Sequence, residues 1–133
     1  MEKKHGLVAL LLLLLLVACG PTDNYGYPSK INFGKEGGTK FCSGKLGISM
    51  IYINDYNGNG KAEISIDEND TIIAKYYWLT AKCKRLAGSE IKIMAEPNTT
   101  GKKRTLYVYG SIYNDDATIK VTQPKFNRQN YFS

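Results

Sequence analysis

Two tyrosines, Tyr107 and Tyr109, stand two residues apart, with Leu106 and Val108 alternating with them. If that stretch is a strand with its aliphatic side chains inward, both phenols project from one outer face, because side chains alternate along an extended chain. Flat aromatic faces stack on the apolar faces of sugar rings, and nearby Lys or Asn can hydrogen-bond hydroxyls. Tyr107 and Tyr109 are therefore the candidate glycan-binding residues, although ordinary cross-strand packing accounts for the same pattern. A second pattern, Asp55-x-Asn57-x-Asn59-Gly60, copies the first half of a calcium loop, in which oxygen ligands at alternate positions point at one cation. The twelfth position is Ile66, where a bidentate carboxylate is needed. Asp55, Asn57 and Asn59 thus form a weak calcium candidate, and the plainer reading is an Asn-Gly hairpin with no metal or cofactor. The adjacent carboxylates Asp67-Glu68 and Asp115-Asp116 would be sent to opposite faces by strand geometry, so neither pair suits acid–base catalysis.

The N-terminus carries an address. Lys3, Lys4 and His5 precede an uninterrupted apolar run from Leu7 to Ala18, which as a helix spans roughly 18 Å, short of the ~30 Å hydrocarbon core. Residues 1–18 read as a signal peptide rather than a membrane span. The run closes with Leu16-Val17-Ala18-Cys19-Gly20, which resembles the bacterial lipoprotein signal. That resemblance implies a diacylglyceryl group on the sulfur of Cys19 as the first mature residue. Each buried methylene contributes about 0.8 kcal/mol, so several acyl chains hold a protein on a membrane permanently. The expected location is the outer membrane, lipid-anchored, facing the cell surface or the periplasm.

Loss of residues 1–18 removes the only His of the chain. The usual zinc sites, Ser-His-Asp hydrolases and Cys-His proteases then lack a residue they require, and no enzyme is expected. Lipidation of Cys19 would leave Cys42 and Cys83 as an even pair outside the cytoplasm. They are a candidate disulfide, worth roughly 4 kcal/mol by loop entropy, or two separate buried core residues.

At 133 residues with 43% hydrophobic and 23% charged composition, the chain suits one globular domain. Residues 19–29 read as a flexible linker, with a reach of ~35 Å when extended. From there, short period-2 alternations recur between turn residues, with no convincing helix. Ile31 and Phe33 mark a first strand, and Gly37-Gly38 turns into a second over Thr39 to Ser43. Gly47 to Ile53 and Lys61 to Ile66 flank the Asn-Gly-rich segment as a hairpin, and Ile72 to Lys84 reads as one long strand or one entered through an irregular turn. Glu90 to Ala95, Arg104 to Gly110 and Ala117 to Gln123 complete the set. Trp78 is a core candidate, and residues 125–133 form a tail that Phe126, Tyr131 and Phe132 could dock. The fold expected is an all-β, immunoglobulin-like antiparallel sandwich of seven or eight strands.

The order of these features from Gly37 onward is similar to the BACON family of Bacteroidetes, immunoglobulin-like modules of secreted and surface proteins. The pieces that carry the resemblance are Gly37-Gly38, Trp78-Leu79-Thr80, Ile91-Lys92-Ile93 leading through Glu96-Pro97-Asn98-Thr99-Thr100-Gly101 to Arg104, and Ala117 to Gln123. The segment from Cys42 to Trp78 matches only loosely. The resemblance implies a sandwich over residues 30–124 that binds carbohydrate, mucin or another envelope protein, or that serves as a structural spacer in an outer-membrane complex. Asp70-Thr71-Ile72 also resembles a Bacteroidetes O-glycosylation acceptor, making Thr71 a candidate modification site. The basic balance, +6 for the whole chain, rests on scattered Lys and Arg that read as solvated surface, and nucleic acid is not an expected partner.

Overall fold

The computed structural model describes residues 24–55, 57, 58 and 62–126. Nine strands follow a single 3₁₀ turn at Asn24–Gly26: β1 (Lys30–Asn32), β2 (Gly38–Ser43), β3 (Met50–Asn54), β4 (Glu63–Ile66), β5 (Thr71–Tyr76), β6 (Leu79–Lys84), β7 (Glu90–Ala95), β8 (Arg104–Ile112) and β9 (Asp115–Gln123). They form a four-stranded sheet in the order β1-β9-β8-β3 and a five-stranded sheet in the order β2-β7-β6-β5-β4. The runs β2-β7-β6 and β3-β8-β9 reproduce the B-E-D and C-F-G neighbours of an immunoglobulin-like sandwich. Every pairing is antiparallel except β1 with β9, which is parallel.

Alternation builds the core. Ile51 and Ile53 of β3, Leu106 and Val108 of β8, and Ile119 and Val121 of β9 are buried from one sheet. Ile72 and Ala74 of β5, Leu79 and Ala81 of β6, and Ile91 and Ile93 of β7 are buried from the other. β-branched residues dominate because they pack well on a pleated surface.

Four features depart from expectation. The stretch from Ile72 to Lys84 is two strands, since Tyr76 pairs with Leu79 across a turn made only of Tyr77 and Trp78; this is the ninth strand. β3 and β4 do not form a hairpin: β3 pairs with β8, whereas β4 pairs with β5 in the opposite sheet. β3 and β4 therefore belong to different sheets, because turn residues encode a reversal but not which strands pair afterwards. The third departure is at the linker, whose last residues belong to the domain. The Asn24 side-chain amide donates to the Thr118 carbonyl (2.9 Å), and the Thr118 amide donates back to Asn24 Oδ1 (2.9 Å). Tyr27 is 3% exposed and donates to the Leu46 carbonyl at 2.7 Å. Its ring lies flat on Gly44, where a Cβ would stand 2.1 Å from the ring, so this docking requires glycine.

The fourth concerns the cysteines, for which the disulfide reading fails and the core reading holds. Cys42 and Cys83 are free, buried thiols. Cys42 is opposite Ile91 on β7, and continuing the β6–β7 register past Lys82↔Lys92 puts Cys83 opposite Ile91 from the other side. Two interstrand spacings amount to about 9.6 Å, beyond the ~7 Å Cα separation that a disulfide tolerates. The cysteines are core residues on one face of the sheet, and burial pushes both thiols up to about 11.

The end of the sandwich opposite the N-terminal turn is closed by a buried polar node. Gln123, fully buried, donates to the carbonyls of Gly34 (3.0 Å) and Glu96 (2.9 Å) and accepts from Arg104 Nε (2.8 Å). Arg104 Nη2 donates to the carbonyls of Glu96 and Pro97, and its guanidinium lies 4.6 Å from the ring centre of Trp78. Asn98, 1% exposed, donates to the carbonyls of Lys102 and Pro124. The Phe126 amide donates to the Thr100 carbonyl, so the chain after β9 follows this loop. Buried polar groups must be satisfied, and the residues of the Glu96-to-Arg104 block, Trp78 and Gln123 satisfy one another here.

Candidate functional site

The outer face of the four-stranded sheet gathers the tyrosines. On β8 the inward residues are Leu106, Val108 and Gly110, so Tyr107 and Tyr109 project outward, as the alternation predicts, and both are half-buried. Their ring centres are 6.5 Å apart with planes 25° from parallel, a geometry of neighbouring rings that present one continuous surface. Register adds a third ring. Tyr52 of β3 is opposite Tyr109 and 45% exposed, and Asn54 is opposite Tyr107. On the other flank, β9 places Thr118 opposite Tyr109 and Lys120 opposite Tyr107, and Lys30 of β1 is opposite Lys120. Cross-strand partners share a face, so three phenols lie in a strip bordered by an amide, a hydroxyl and two ammonium groups.

Burial first, then Tyr107 and Asp116, raise the Tyr109 hydroxyl above its ordinary value. It is neutral at physiological pH and can both donate and accept. Lying on the outer face of a sheet, the strip offers stacking area and hydroxyl-directed hydrogen bonds along it. Tyr52, Asn54, Thr118 and Lys120 were not anticipated as members. The alternation of Ile51 and Ile53 pointed Tyr52 outward too, but its proximity to Tyr109 depends on the β3–β8 pairing, which local patterning does not encode.

The remaining candidates separate. Asp55 Oδ1 accepts from the Asn57 amide at 3.0 Å, and the Asp55 carbonyl accepts from the Gly58 amide at 3.1 Å, so this aspartate stabilises a turn; Asn59 lies outside the described residues. Among the described residues, no group of three His, Cys, Asp or Glu side chains is placed to hold a metal. Thr71 begins β5, half-buried; its amide donates to Asp67 Oδ1 at 3.0 Å, and it borders a groove on the five-stranded sheet with Phe41, Lys82, Lys84 and Lys92. The Asp67 carboxylate is held below its ordinary value by the amides of Thr71 and Asn69, and Asp115 accepts from the Tyr25 hydroxyl. Both carboxylates shape local structure. Cys19 lies outside the described residues.

No protein-family model matches the chain, and no curated protein sequence does. Among solved structures, an NMR structure of a protein from Bacteroides thetaiotaomicron is similar at 19% identity and a TM-score of 0.47, over 77% of this chain and 85% of that one. A Bacteroides ovatus GH5 xyloglucanase solved with a XXXG heptasaccharide is similar at 18% identity and a TM-score of 0.45, over 80% of this chain. This chain spans 18% of the length of that enzyme.

Proposed function

We propose that the protein is a non-catalytic envelope lipoprotein, anchored through Cys19, whose immunoglobulin-like module of the BACON kind binds glycan through the face of Tyr52, Tyr107 and Tyr109. The observation that carries this reading is the strip itself: three phenols on adjacent strands, with Asn54, Thr118 and Lys120 beside them in register. Sugar rings offer apolar faces to such rings and hydroxyls to such neighbours. A polysaccharide or mucin chain, being extended, suits a flat sheet face better than an enclosed pocket would.

The test is a glycan array and a mucin pull-down with wild type and the Tyr52→Ala/Tyr107→Ala/Tyr109→Ala variant. Each stacked ring is worth about 0.5–1.5 kcal/mol, so losing three weakens binding about tenfold or more. The rings are on the outer face, so the variant keeps its core. Equal signals from the two proteins would instead favour a spacer or accessory-subunit role.

A further inference from the structure

The end of the sandwich that receives the N-terminal segment carries an apolar cluster unrelated to the tyrosine strip. Four connections reach it, residues 44–49, 67–70, 85–89 and 113–114. The Leu86 amide donates to the Ile48 carbonyl and the Gly44 amide to the Ser89 carbonyl, both at 2.9 Å. Leu46, Leu86 and Tyr113 are 37%, 67% and 87% exposed, around a groove of about 410 Å³. Lys45 beside them is exposed. Leu86 and Tyr113 hold left-handed backbones, φ 56° and 55°, where Gly or Asn would cost less.

The chain enters the domain at this same end. Lys45 donates its amide to the Tyr25 carbonyl at 2.8 Å, and the Tyr25 hydroxyl donates to Asp115, the first residue of β9. Asn24 is bound at Thr118, three residues or about 10 Å along the strand from that tip. The five residues from Cys19 to Asn24 reach at most about 18 Å when extended. This is about half the reach of a tether that ran free over residues 19–29.

We propose that this end of the domain docks on a phospholipid bilayer, with Leu46, Leu86 and Tyr113 seated in the interfacial layer and Lys45 among the headgroup phosphates. The inference rests on the reading of Cys19 as lipidated. Acyl chains on Cys19 hold the bilayer surface within tether length of Asn24, and the apolar tips are the part of the domain on that side. Tyrosine and exposed leucine suit the boundary between headgroups and acyl chains, and Lys suits anionic headgroups. Acidic groups share this end: the Arg85 amide donates to the Asp70 carbonyl at 2.9 Å and its guanidinium pairs with the Asp70 carboxylate at 2.9 Å, and Asp115 and Asp116 are exposed after Tyr113. In the docked pose these carboxylates stay at headgroup level while the three apolar side chains go deeper. In this pose the tyrosine strip runs up from the membrane and stays open to the side.

The test uses the protein produced with residues 1–18 in place, so that Cys19 can be processed, and reconstituted into phosphatidylethanolamine–phosphatidylglycerol vesicles whose acyl chains carry bromine, which quenches indole emission at short range. Tyr113→Trp adds a reporter at the loop tip. Trp78, the single native tryptophan, is at the opposite end beside Arg104 and reports the background. The expected result is quenching of about half or more of the added emission, with little change in wild type, and weaker quenching when Leu46→Ser and Leu86→Ser are added. Intact mass reports acylation in the same sample. Acylated protein whose added emission is not quenched, or is quenched equally without the two leucines, overturns the docking and leaves the anchor standing. An unacylated chain overturns both.

Discussion

Tyr27, Cys42 and Cys83 are three buried weak acids, close enough for the two thiols to act on the Tyr27 hydroxyl. Burial, followed by the two cysteines, raises the Tyr27 hydroxyl to about 12, and burial raises each thiol to about 11, from ordinary values of 10.0 and 9.0. The unfolded chain releases these protons at lower pH than the folded one. Their contribution to stability is therefore complete below about pH 9 and is lost as pH rises through 11 to 12. Thermal melts should give a level Tm from pH 7 to 9 and a falling Tm above it; a level profile to pH 11 would contradict this burial. The same thiols should resist alkylation in native buffer and react on unfolding, at a rate set by opening rather than by the reagent. At this scale the outward direction of Tyr107 and Tyr109 was legible from Leu106 and Val108 alone. The state of the cysteines was not, because an even pair outside the cytoplasm fits both a disulfide and a core, and only the intervening strand β7 separates the two.

Among the elements, β9 and the β7–β8 loop are joined by Gln123. Gln123→Leu would leave the Gly34 and Glu96 carbonyls and Arg104 Nε without their buried partner, at about 2–3 kcal/mol. Urea denaturation should show a lower midpoint with an unchanged slope, and an unchanged midpoint would contradict the node. On the outer face of the five-stranded sheet, Lys82 and Lys92 are directly opposite each other, an arrangement that like charges disfavour. Lys82→Glu should raise stability by about 0.5 kcal/mol, an effect that diminishes in high salt; stabilisation unaffected by salt would point away from charge. Strands β7, β8 and β9 were legible because their alternation is strict over six residues or more. The break at Tyr77 and Trp78 was not, because two aromatic residues carry no turn signal, and Tyr77 turns the chain at φ 52° against its own preference. Of the residues that carry the resemblance, Glu96 to Arg104 and Gln123 belong to this closure, so their pattern speaks to the fold and leaves the ligand to the strand faces.

The whole molecule is a two-sheet sandwich with opposed ends. One is sealed by Gln123, Asn98 and Arg104; the other takes in the N-terminal segment and exposes Leu46, Leu86 and Tyr113. Composition and period-2 patterning were enough for the class, since an all-β chain of this size with two half-buried sheets has few alternatives to a sandwich. The route of the chain between sheets was not readable, because pairing of β3 with β8 and of β4 with β5 is decided by contacts distant in sequence. That route is also what places Tyr52 beside Tyr109. The most direct test of the tyrosine face is an NMR titration of the folded protein with polysaccharide and mucin oligosaccharides, read at assigned backbone and aromatic signals. The account predicts shifts centred on Tyr52, Tyr107, Tyr109 and Asn54 that vanish in the triple alanine variant. Saturable shifts centred anywhere else, or saturable shifts that survive in that variant, would contradict it.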